Sequence, residues 1–147
     1  MAKCEIIQHK AVITYSDCRN RMTELTKDEL DWFYAWVERA KHVTGCTVDI
    51  VPYDHELYAS KHQDALGCTI TNKPDDVLGD GVDTYITVDC YFIDECWKRE
   101  FQGAWTLETE TLPGVLAHEI AHLTYWRHGK KHSELTARLL KQIQDAA

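Results

Sequence analysis

The chain has no run approaching the roughly 20 apolar residues that a membrane span requires. Its opening residues, MAKCEIIQHK, hold no apolar stretch of the kind that begins a secretory signal. These two lacks lead to the expectation of a cytoplasmic protein with no membrane segment. No two cysteines stand at CxxC spacing, which argues against a zinc ribbon. Positive charge is also short. Sixteen Lys and Arg face 24 Asp and Glu, a formal net charge of −8. Such a chain suits a phosphate backbone poorly, so direct nucleic-acid binding is not expected. The loop 72–83 carries four Asp but not the DxDxDG register of a calcium loop, and reads as a solvated connection.

What is present suits a single domain, residues 1–147, with 44% apolar residues to fill a core. The six cysteines (Cys4, Cys18, Cys46, Cys68, Cys90 and Cys96) are expected as reduced and mostly buried thiols, because a chain of this length needs no disulfide staples.

The stretch 111–132, TLPGVLAHEIAHLTYWRHGKKH, organises the rest. It contains His118-Glu119-Ile120-Ala121-His122, the pattern HExxH. On a helix, residues four apart share a face, so His118 and His122 can offer imidazole nitrogens to one metal ion. Glu119 then lies beside that ion, where a base would take a proton from metal-bound water. A shuffled chain of this composition would show HExxH with a probability of roughly 0.03, so the pattern alone decides little. A third histidine, His128, six residues past His122, lowers the figure to roughly 0.002. The segment is apolar and helical in pattern (Val115, Leu116, Ile120, Leu123), with Thr111 as N-cap and Pro113 in the first turn. A straight helix cannot bring His128 to the His118/His122 face, so the chain must turn between Leu123 and His128. His128, His132 and Glu134 are the candidates for a third ligand, with His128 favoured by spacing. Three imidazoles would favour zinc over magnesium or calcium.

The sequence HEIAHLTYWRHGKKHSELTARLL resembles the minimal zinc metallopeptidases of the SprT-like and WLM type, in which a third His follows the HExxH helix in an HG or HS pair. His128-Gly129 is similar to that pair. Upstream, Leu66-Gly67-Cys68-Thr69 and Ile86-Thr87-Val88-Asp89 resemble the families' strand motifs, so the resemblance covers about residues 60–140. The spacing from His122 to His128 is also that of the metzincins. Tyr125 stands where metzincins have Gly, so the helix exit is expected to differ from theirs. The resemblance implies a zincin-like fold, with zinc on His118, His122 and His128 and Glu119 as catalytic base. It also implies a substrate peptide in extended conformation, paired with an edge strand at the cleft, for which 83–92 is the expected candidate. Tyr125, His132 and Tyr91 are candidates to stabilise the oxyanion. Glu134-Leu135-Thr136-Ala137 resembles the ExxA of gluzincin-like proteins, including the ImmA type that relieves phage repression.

Short strands are expected near Ile6-Ile7 and over 11–15, and a turn over 17–21. A helix is expected over 27–44, with Thr26 and Glu29 as a capping box and Gly45 as its stop. Trp32, Phe33, Tyr34 and Trp36 on that helix read as core packing. Strands follow over 46–51, 66–71 and 83–92, then helices over 93–101 and 132–145. His55, Glu56 and His62 read as solvated. The expected fold class is α+β and zincin-like: an N-terminal helix on a small, mostly antiparallel sheet of 3–5 strands, then the HExxH helix and a C-terminal helix. The expected function is zinc-dependent endopeptidase activity, in which Glu119 activates zinc-bound water to attack a peptide carbonyl. Two alternatives stand beside it. One is a metal-dependent endoribonuclease of the YbeY type. The other is a non-catalytic metal-binding regulator, such as a phage or mobile-element protein.

Overall fold

The computed structural model describes residues 6–8, 11–13, 25–55, 65–71 and 84–146. Among the described residues the fold is α+β, with four helices and two small sheets. Strands β1 (Ile6–Gln8) and β2 (Ala11–Ile13) pair antiparallel, where short N-terminal strands were expected. The expected turn over 17–21 lies outside the described residues, as do Glu56, His62 and the loop 72–83.

Helix α1 (Lys27–Thr44) keeps the expected limits for the expected reasons. Thr26 Oγ1 accepts from the Glu29 amide at 3.1 Å, and Glu29 Oε1 accepts from the Thr26 amide at 3.0 Å. Gly45 ends the helix at φ 75°, a left-handed conformation that glycine adopts without strain. Phe33, Val37 and Ala40 recur at helical spacing and are buried, while Trp32, Tyr34 and Trp36 pack at the edge of the core.

The main sheet contains β3 (Asp49–Tyr53), β4 (Gly67–Thr71) and β5 (Thr84–Asp89) in the order β3-β5-β4. β3 and β5 run parallel, with Ile50 opposite Ile86. β4 and β5 run antiparallel, with Thr69 opposite Ile86. The sheet is therefore mixed rather than mostly antiparallel. Pro52 is tolerated inside β3 because that strand lies at the sheet margin.

The last strand departs from expectation in two ways. It ends at Asp89, and α2 (Cys90–Gln102) begins immediately. Asp89 Oδ2 accepts from the Phe92 amide at 3.3 Å, so a residue expected inside the strand 83–92 is a helix N-cap. β5 is also the central strand. Tyr85, Ile86, Thr87 and Val88 are all buried, so neither edge nor face is left for a substrate. Among the described residues the outer strands are β3 and β4, and β4 is the one that packs on the HExxH helix.

Helix α3 (Leu112–Ala121) carries HExxH and α4 (Lys130–Asp145) closes the chain. Thr111 Oγ1 accepts from the Gly114 amide at 3.1 Å, and Pro113 sits in the first turn, where its missing N–H costs nothing. α3 is apolar on nearly all sides because it is surrounded. It packs on α4, α1 and β4, burying Leu112, Val115, Leu116, Ala117, Ile120 and Ala121. α4 is amphipathic, with Leu135, Leu139 and Ile143 turned inward. Among the described residues, no helix is long and apolar enough to cross a membrane.

Candidate metal centre

α3 leaves the α-helical path at His122. The His122 amide bonds to the Glu119 carbonyl at 3.1 Å, the Leu123 amide to Ile120 at 3.0 Å and the Thr124 amide to Ala121 at 3.1 Å. These are i→i−3 contacts, tighter than an α-turn. The tightened exit releases the chain early, and residues 126–129 return it so that His128 faces the helix it has just left.

The result is a triangle of ring nitrogens. His118 Nε2 lies 3.1 Å from His128 Nε2 and 3.2 Å from His122 Nε2, and the third edge, His122 to His128, is 3.2 Å. A tetrahedral ion with bonds of 2.0–2.1 Å would set its nitrogen ligands roughly 3.3 Å apart. The triangle fits an ion of that size. Three neutral imidazoles cannot satisfy one another at these distances, because each Nε2 brings either a lone pair or a single proton. A shared cation satisfies all three.

The environment prepares these rings as lone-pair donors. The His118 imidazolium is disfavoured, with its pKa lowered to about 4 by burial first, then by the neighbouring His122, His132 and His128. His122 is shifted in the same direction, again chiefly by burial. His122 Nδ1 donates to the Tyr125 carbonyl at 3.1 Å, which leaves the Nε2 lone pair for a metal.

His132 joins the cluster from α4. One nitrogen each from His118, His122 and His132 lie within 4.8 Å of one another, so that trio could also hold a metal ion. Its geometry is different, however. His132 Nε2 is 3.0 Å from the His118 carbonyl oxygen, to which it can only donate. Its ring stacks on His122, with centroids 4.1 Å apart and planes 24° apart. A ligand lone pair lies in the plane of its ring, so two stacked rings do not aim at one point. Tight convergence of Nε2 atoms belongs to His118, His122 and His128. Glu134 is exposed on α4 and enters no metal-compatible cluster among the described residues.

Glu119 points from the other side of α3 turn into β4. Its carboxylate is buried, with Oε2 3.9 Å from His118 Nε2. Thr69 Oγ1 lies 2.8 Å from Glu119 Oε1 and 2.9 Å from the Glu119 carbonyl, so one hydroxyl fixes both side chain and backbone. Burial raises the Glu119 pKa to about 7, and the Thr69 hydrogen bonds oppose that rise. Gly67 makes the approach possible. A Cβ there would lie 2.8 Å from Val115 Cγ1 and 2.9 Å from Glu119 Cγ, closer than real Cβ contacts come. The Leu66-Gly67-Cys68-Thr69 motif is thus a support for the acid, a role that the strand pattern alone did not reveal.

A cavity of about 670 Å³ opens over these groups. Its lining includes Ala65 and Leu66, Gly67 to Thr69 of β4, and Trp126, His128, Thr136 and Leu140. Tyr91, Tyr125 and His132 do not line it. His132 is buried and committed to a carbonyl, which removes it from contact with a substrate oxyanion.

His55 was expected in solvent and is instead fully buried. Its backbone amide donates to Asp89 Oδ1 at 3.1 Å, and its ring bridges the Ala65 carbonyl and Thr87 Oγ1. It ties the start of β4 to the middle of the sheet. Sequence periodicity could not show this, because the surrounding stretch has none. Among the described residues, Cys46, Cys68, Cys90 and Cys96 form no disulfide.

Comparison with models of known protein families, with curated proteins and with solved structures finds no match.

Proposed function

We propose that the chain is a zinc-dependent endopeptidase of minimal zincin-like design, resembling the SprT-like and WLM-type enzymes. One observation carries this reading: three Nε2 atoms converge at 3.1–3.2 Å with a buried carboxylate oxygen 3.9 Å from the nearest of them. The ligands are His118, His122 and His128, and an all-imidazole set favours zinc. Zinc, when bound, supplies a Lewis acid that polarises a carbonyl and acidifies water.

The protein's own groups do the rest. Glu119 takes a proton from the attacking water as its oxygen adds to the peptide carbonyl carbon, and returns a proton to the amine as the C–N bond breaks. Thr69 holds Glu119 in place: its hydroxyl is the donor shared between the carboxylate Oε1 and the Glu119 carbonyl. β4 is one of the two outer strands of its sheet among the described residues, and it lines the cavity. An extended peptide laid along it gains backbone hydrogen bonds that require no particular sequence.

The test is hydrolysis of an unstructured protein such as casein, with structured RNA as a counter-substrate. Zinc-dependent peptide cleavage that disappears in Glu119→Gln, while the metal stays bound, supports the reading. Unchanged peptide cleavage in that variant refutes the role of Glu119. Cleavage of RNA alone moves the protein to the nuclease class.

A further inference from the structure

We infer that His132 is a positioning residue that clamps the metal-binding helix from outside the ligand set, an inference resting on His118, His122 and His128 being the ligands. Two observations carry it. The first concerns the backbone. In a continuing α-helix the His122 amide would bond to the His118 carbonyl, but here it bonds to the Glu119 carbonyl at 3.1 Å. The His118 carbonyl therefore loses its helix partner at the point where the chain must break away to bring His128 back. His132 Nε2 stands 3.0 Å from that oxygen and replaces the missing donor. The side chain is buried, so water does not serve in its place.

The second observation concerns the rings. His132 stacks on His122 at 4.1 Å and meets His118 edge-on at 4.5 Å between centroids. It thus contacts both ligands that HExxH provides and holds the backbone of one. His132 stands third in α4, in the turn that follows Gly129. The His-Gly pair and the clamp are one device: His128 returns to the metal, Gly129 opens α4, and His132 locks α4 onto the end of α3. Donation to a carbonyl places the proton on Nε2, so that nitrogen carries no lone pair for a metal.

Three variants separate this role from that of a ligand. His132→Gln keeps an N–H near the position of Nε2, His132→Phe keeps the stacked ring without a donor, and His132→Leu removes both. Zinc affinity is measured by competition with a chromophoric chelator, and the ligand set is read from the visible spectrum of the cobalt-substituted protein. Loss of an outer partner of a metal ligand weakens binding about 10–100-fold. That loss is expected in His132→Phe, a larger one in His132→Leu, and recovery of most of the affinity in His132→Gln. The cobalt spectrum should keep the parent band positions in all three. Unchanged affinity in His132→Phe, or a changed cobalt spectrum with no recovery in His132→Gln, overturns the clamp.

A metal-free readout separates failure of the clamp from failure of the peptidase reading. In the chelator-treated parent protein, long-range proton–nitrogen NMR should show His132 protonated at Nε2, with a ring proton that exchanges far more slowly than that of His128. A rapidly exchanging His132 proton overturns the clamp whatever the metal does. A protected proton in a protein that binds no metal upholds the clamp and removes the peptidase reading.

Discussion

At the scale of single residues, three imidazole nitrogens meet beside one buried carboxylate, with Thr69, Gly67 and His132 packed against the helix that carries it. His118, Glu119 and His122 follow from helical spacing, and His128 from its distance past His122. The structure brings all four together. Thr69, His55 and His132 act through contacts 50, 32 and 14 positions away, which no local pattern encodes. Glu119→Gln should lower turnover by about 10²–10⁴-fold with zinc retained, the range for loss of a general base. A kinetic assay paired with metal analysis checks both halves. Gly67→Ala inserts a methyl against Val115 and Glu119, and Val115 on a buried helix cannot swing aside. The expected cost is about 1–3 kcal/mol in urea unfolding, with a loss of activity larger than the loss of folded protein. Equal losses would mean that Gly67 serves packing alone.

The cysteines give a residue-scale test with a defined pH sign. Burial, with Glu119 nearby, pushes the Cys68 thiol up to about 12, and burial pushes Cys96 up to about 11. A raised thiol pKa means less thiolate at a given pH, and the thiolate is the nucleophile. At pH 8, alkylation of these two should be on the order of 10²–10³-fold slower in the folded protein than after denaturation. Site-resolved mass spectrometry with and without urea reads this directly. Failure of either to react in urea without reductant would contradict the reduced state.

At the scale of elements, helix α1 was legible to the residue because its capping box and glycine stop are local signals. The limit between β5 and α2 was not. Cys90 and Phe92 continue the alternation of Ile86 and Val88, and both are buried in the first turn of α2, so period 2 and period 3.6 coincide there. The deciding feature is Asp89, whose two oxygens cap α2 and hold the His55 amide. Asp89→Ala should cost about 1–2 kcal/mol through the lost cap, measured by urea unfolding. The centrality of β5 was likewise hidden, since strand order depends on a parallel pairing with β3 more than thirty residues away. Correcting it moves the expected substrate strand from β5 to β4, which borders the cavity.

At the scale of the whole molecule, three elements meet at the candidate metal centre: α3 with two histidines, the return segment with His128, and α4 with His132. Such a centre couples folding to metal. A ligand bound only by the folded state stabilises it in proportion to the logarithm of its concentration over its dissociation constant. Zinc in 100-fold excess over that constant should add about 2.7 kcal/mol, visible as a rise in melting temperature that a chelator abolishes and added zinc restores. α+β class and helix order were readable from the chain because four amphipathic or apolar segments were strongly periodic. The mixed sheet was not, because pairing direction leaves no mark on local hydrophobicity.

The most direct test of the central claim is the metal content of the purified protein by plasma emission spectroscopy, measured beside His128→Ala and Glu134→Ala. The parent and Glu134→Ala should each carry about one zinc per chain, and His128→Ala should lose it. Zinc retained by His128→Ala but lost from Glu134→Ala, or no transition metal in any of the three, would contradict it.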